Sequence, residues 1–107
     1  MSGMDNRGEA YENKFAHDAE LKFKAKARRN KLLGEWAAEK LGKSGDEIQS
    51  YATQIIQTDF EEAGDEDVFR KIRQDFNDAG VDQSDHQIRR TMEELMANAI
   101  DQITSQS

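Results

Sequence analysis

EDVFRKIRQDFNDAG, residues 66–80, settles the fold class. Val68, Phe69, Ile72, Phe76 and Ala79 recur at steps of three and four, the period of one buried helix face. Asp65 stands before the stretch, suited to accept a hydrogen bond from the first turn, with Glu66 and Asp67 at the positive end of the helix dipole. Gly80 follows it, where a left-handed residue ends a helix without steric cost. The same grammar repeats on both sides. Residues 47–63 place Ile48, Tyr51, Ala52, Ile55, Ile56, Phe60 and Ala63 on one broad face, after Ser44 and Glu47 at capping-box spacing and before Gly64. Residues 85–104 place Ile88, Met92, Leu95, Ala99 and Ile103 on another, widened by Met96 and Ile100 and preceded by Ser84 and Gln87 at the same spacing.

The remaining helix is the first and the longest, predicted from about Glu9 to Leu41. Its second half is strongly apolar, with Leu32, Leu33, Trp36, Ala37 and Leu41. Gly34 inside that half costs about 1 kcal/mol against alanine, which suggests the close approach of another helix. Its first half carries only the narrow stripe Tyr11, Phe15, Ala19 and Phe23. Three partner helices of roughly 14–20 residues cover only about 20–30 Å of it. The expectation is an all-α, four-helix domain at 19–107 and a mobile N-terminal segment at 1–18. No stretch alternates with period two, so no β-structure is expected.

Composition narrows the classes. A chain of 107 residues is one small domain. Apolar residues make up 36% and charged residues 35%, and no apolar run reaches the roughly 18 residues of a membrane-spanning helix. The opening MSGMDNRGEAYENKF has no apolar secretory core, and cysteine is absent, so the reading is an intracellular, reducing compartment. Net charge is -7, distributed unevenly: residues 21–31 hold six bases and no acid, between two acidic segments.

Candidate chemistry is thin. His17 and His86 are far apart and lack ligand spacing, so no metal is expected. GKSGDE lacks the earlier glycine of a phosphate loop: position 37 is Ala37. The acidic run Asp59–Asp67 has the wrong spacing for a calcium loop and reads as solvated loop and helix-cap charge. No nucleophile–base pair points to an enzyme. The basic block LKFKAKARRNK leaves several readings open: a helix paired with the chain's own acids, a surface for an acidic protein partner, a nucleic-acid accessory surface, or a phosphate-binding, adenine-nucleotide-sensing module.

Two stretches are more particular. KFAHDAELKFKAKARRNKLLGEWAAEKLG (residues 14–42) and TDFEEAGDEDVFRKI (residues 58–72) resemble the zeta inhibitor subunit of the alphaproteobacterial F-type ATP synthase. The resemblance implies a non-enzymatic inhibitor of ATP hydrolysis; no cofactor is expected, and weak adenine-nucleotide binding belongs to the alternative reading of the basic block. Its partners would be the alpha, beta and gamma subunits of the catalytic sector, with neither nucleic acid nor direct membrane insertion involved. It would sit in the cytoplasm, peripheral on the inner face of the plasma membrane through the synthase. In that family a mobile N-terminal segment inserts at a catalytic alpha/beta interface near the gamma shaft, becomes helical and blocks hydrolytic rotation while largely sparing synthesis. Carried onto this chain, the motif falls on Lys14, Phe15, Ala16, His17 and Asp18, with Arg7 and Tyr11 before it. Lys22, Phe23, Lys24, Lys26, Arg28 and Arg29 form the adjoining basic contact.

Overall fold

The computed structural model describes the backbone of residues 2–61 and 65–106, and the side chains of residues 19–59 and 65–105. Four helices follow in order: α1 (Ser2–Lys40), α2 (Asp46–Glu61), α3 (Glu66–Ala79) and α4 (Asp85–Gln106). No strand occurs among the described residues. The all-α, four-helix expectation holds, and α3 has the predicted ends. α1 begins at Ser2 where the periodicity placed it near Glu9, because the polar residues before Glu9 carry no apolar rhythm to read. The mobility expected of residues 1–18 falls on side chains outside those described.

The core follows the predicted faces where their side chains are described; Phe60 and Ala63 of the second stretch lie outside the described side chains. Tyr51 and Ile55 of α2, Val68, Phe69, Ile72 and Phe76 of α3, and Ile88 and Met92 of α4 are buried together with Leu33, Ala37 and Ala38 of α1. Trp36 packs on the margin of this cluster, edge-to-face with Phe76 at a centroid distance of 5.7 Å. Two residues of the predicted faces, Ala79 and Ile100, are exposed instead. Ala79 is the last residue of α3, and Ile100 stands on the wall of a groove between α1 and α4 beside the buried Ala99 and Ile103.

α1 packs chiefly against α2 and α4. The α1–α2 crossing is set by Gly34: a Cβ there would lie 2.5 Å from the Ala52 Cα, which is less than a van der Waals contact. Glycine is thus the residue that lets the two backbones meet. Gly42, with φ +81°, ends α1, and its neighbour Lys43 donates to the Ala38 carbonyl at 3.0 Å. Gly80, with φ +71°, ends α3 in the same way, through Val81 to the Phe76 carbonyl at 2.8 Å.

Of the predicted caps, Ser84 and Gln87 form a reciprocal capping box, each amide donating to the other's side-chain oxygen at 3.0 and 3.1 Å. At α2 the Glu47 amide donates to the backbone carbonyl of Ser44. Asp65 departs from expectation: its carboxylate makes no cap hydrogen bond to α3. It is drawn instead to Arg29, because a charge-assisted hydrogen bond outcompetes a neutral amide donor. Among the described residues, no helix is long and apolar enough to cross a membrane.

Candidate functional site

The first set of predicted site residues, Arg7, Tyr11, Lys14, Phe15, Ala16, His17 and Asp18, lies on α1 but outside the described side chains. The second set can be placed residue by residue, and α1 divides it. Lys22, Phe23 and Lys24 are exposed. Lys24 pairs with Glu20 one turn before it, at 3.3 Å. Lys26 turns toward α2 and meets Asp59 at 3.4 Å. Arg28 turns the other way, donating to Gln102 of α4 at 3.1 Å.

Arg29 is 1% exposed. Its Nη2 donates to Asp65 Oδ1 at 2.8 Å and its Nε to Asn30 Oδ1 at 2.7 Å. Asn30, also buried, passes the chain on by donating to Asp59 Oδ2 at 2.9 Å. The basic block and the acidic run thus close on each other. The Arg29 guanidinium, by its hydrogen bond first and its charge second, holds the Asp65 carboxyl below its usual range. A second pair braces α3 to α4: Arg89 donates to both carboxylate oxygens of Glu66, at 3.0 and 3.2 Å, and lies 4.0 Å from the Phe69 ring centroid. That contact lowers the Glu66 pKa and raises that of Arg89.

Asn30 escaped the sequence reading because nothing in a lone asparagine within a basic helix marks it as buried. Asp59 and Asp65 look, in sequence, like loop and cap charge. The signal available was the adjacency of one basic block and one acidic run, which predicts attraction without saying which residues meet.

The aromatic stripe also divides. Phe23, 59% exposed, borders a small cleft with Ala27 of α1 and Ile56 of α2. Ala19 and Lys22 border a different recess, a groove toward α4. That groove encloses about 800 Å³ and has an apolar floor from Ala25, Met96 and Ile103. Among the described residues of α1, burial begins at Ala25, and Ala19, Glu20, Lys22, Phe23 and Lys24 are exposed. His86 is exposed on the first turn of α4, and no group of described residues could hold a metal ion. This is an arrangement of ion pairs and uncovered helix surface, suited to presenting a shape to another macromolecule.

Comparison with known proteins agrees with that character. The family model described as ATPase inhibitor subunit zeta matches residues 1–102. No curated protein matches the chain. Among solved structures, a chain described as a solution NMR structure is similar at 47% identity and a TM-score of 0.72, over 81% of this chain and 99% of that one.

Proposed function

The chain belongs to the ATPase inhibitor subunit zeta family, and from that premise we propose that it stops ATP hydrolysis by the F-type ATP synthase through residues 1–18 of its long helix. The segment inserts at a catalytic alpha/beta interface near the gamma shaft and blocks rotation in the hydrolytic direction. Residues 19–107 are the body that limits how far it enters. The protein itself performs no reaction. It acts peripherally, on the cytoplasmic face of the membrane that carries the synthase.

One observation supports this above the others: α1 runs to Ser2, while burial along its described part begins only at Ala25. A helix that leaves its own bundle uncovered has a face available for a partner. Tyr11 and Phe15, spaced four apart, supply aromatic anchors for a helix-in-groove contact. Lys22 and Lys24, exposed at the base of the segment, favour an acidic rim.

The test adds the full chain, and a form lacking residues 1–14, to the isolated catalytic sector of the cognate synthase. The full chain should inhibit hydrolysis and spare proton-driven synthesis in vesicles. The shortened chain should keep its helical circular dichroism, less the tail, and lose inhibition. Full inhibition by the shortened chain overturns the assignment of residues 1–18.

A further inference from the structure

We propose that the groove between α1 and α4 is a second contact surface for the inhibited ATPase, receiving an acidic amphipathic segment of it; this rests on the inhibitory reading above. The groove is built for more than one side chain. Its space of about 800 Å³ lies between Ala19, Leu21 and Ala25 on α1 and Met96, Ile100 and Ile103 on α4. Ile100 stands 47% exposed on the α4 wall. A β-branched aliphatic so placed gains from being covered.

The charges on the rim favour an acidic occupant. Lys22 lies on the α1 wall, exposed and with no ion pair among the described residues. Lys26 follows it one turn on, already leaning on Asp59. Asp65 closes one end but is held by Arg29. An apolar face with a carboxylate toward Lys22 therefore fits this surface. A second copy of the chain fits poorly, because two bodies of net charge -7 repel each other.

Continuity with the inhibitory segment points to the ATPase as the source. Ala19, on the α1 wall, directly follows residues 1–18 on the same unbroken helix. The α1 wall therefore begins where the segment proposed to insert ends. A partner surface that follows residues 1–18 down the helix arrives at the mouth of the groove. The groove thus anchors the body while the segment blocks rotation.

The experiment uses the full chain. Affinity for the isolated catalytic sector is measured by surface plasmon resonance for the wild type, Ile100→Glu, Lys22→Glu and Phe15→Ala. Gln54→Glu, on exposed α2, is the remote control. Ile100→Glu and Lys22→Glu should each weaken binding roughly tenfold or more, as for a contact near the centre of an interface. Gln54→Glu should bind as the wild type. Both groove positions are exposed, so melting temperatures should change by no more than a few degrees. Wild-type affinity in both groove variants, with Phe15→Ala weakened, overturns the groove and leaves the inhibitory segment standing. Weakening in the groove variants alone supports the groove and moves the inhibitory contact away from Phe15. A wild-type chain that neither binds nor inhibits overturns both. A dimer in sedimentation that Ile100→Glu dissolves assigns the groove to a second copy and overturns the proposal.

Discussion

Arg29 on α1 and Asp65 before α3 are joined at 2.8 Å across 36 residues of sequence. The arginine is buried and the aspartate is about half exposed, so the contact pins the α2–α3 connection onto the long helix from the inside.

Arg29→Met keeps most of the side-chain volume and removes the donors. Asp65 can turn to water, whereas the buried Asn30 Oδ1 loses the donor that holds it. Hydrogen bonds to charged groups contribute roughly 1.5–3 kcal/mol each, and re-solvation of Asp65 places the expected loss toward about 2 kcal/mol. Urea denaturation monitored by circular dichroism measures it. An unchanged midpoint would show that the pair contributes nothing.

The same pair sets an acid limb of stability. Asp65 has its folded pKa depressed from the ordinary 3.8 by the Arg29 hydrogen bond. Its contribution is therefore fully present above the ordinary value and is lost as pH falls through the depressed one. Glu66, lowered by Arg89, moves in the same direction. Thermal melts of the wild type should show a decline below the ordinary carboxylate range. Asp65→Asn should flatten part of that decline while lowering stability at neutral pH. A variant whose acid limb superimposes on the wild type would remove Asp65 from the account.

Tyr51 governs the alkaline side. Its hydroxyl donates to Asp75 at 2.7 Å from a buried ring, and Lys71 lies 5.3 Å from the ring centroid. Burial first, and the Asp75 hydrogen bond second, push its pKa far above the ordinary 10.0. The neutral form is thus favoured by folding, and the associated stability is complete below the ordinary value and is lost as pH rises beyond it. Absorbance titration should show Tyr51 ionising only as the fold is lost. Tyr51→Phe should remove that alkaline dependence. Ionisation of Tyr51 near its ordinary value in the folded chain would contradict the geometry.

Gly34→Ala tests the α1–α2 crossing. In an exposed helix the change stabilises by about 1 kcal/mol. Here the added Cβ meets the Ala52 backbone at 2.5 Å, and backbone cannot turn aside. Overpacking of this kind costs roughly 1–3 kcal/mol, so the sign reverses and the melting temperature should fall. A higher melting temperature would mean that the helices separate at no cost.

Phe15→Ala should separate function from fold. Truncating an aromatic anchor weakens binding by ~2–4 kcal/mol, or roughly 30- to 1000-fold. The melting temperature should stay within the small range of surface changes. A fall of many degrees would make Phe15 part of the core and deny residues 1–18 an independent role.

Periodicity made much of this molecule readable. Apart from the exposed Ala79 and Ile100, the described faces of α2, α3 and α4 are the ones spelled by steps of three and four, because a helix repeats its surface every 3.6 residues whatever it packs against. The glycine ends and the Ser84–Gln87 cap are equally local. The basic block was legible as a charge and not as a site. Lys26, Arg28 and Arg29 stand within six residues of one another, yet one pairs with α2, one with α4 and one is buried. Helical rotation of 100° per residue sends neighbours in sequence to different partners, and only the positions of those partners say which charge is left in water.

By itself the sequence determined the helix count, the buried faces, the turn glycines and, through the order of residues 14–42 and 58–72, the family. These depend on backbone geometry and on residue identity, which act over a few positions. Tertiary structure alone decided that Gly34 faces Ala52, that Asp65 serves Arg29 rather than the end of α3, and that α4 reaches along α1 far enough to form a groove at Ile100. Each of these joins residues at least 18 positions apart, and such pairs are chosen by how the packed helices cross, a choice that no short-range rule contains.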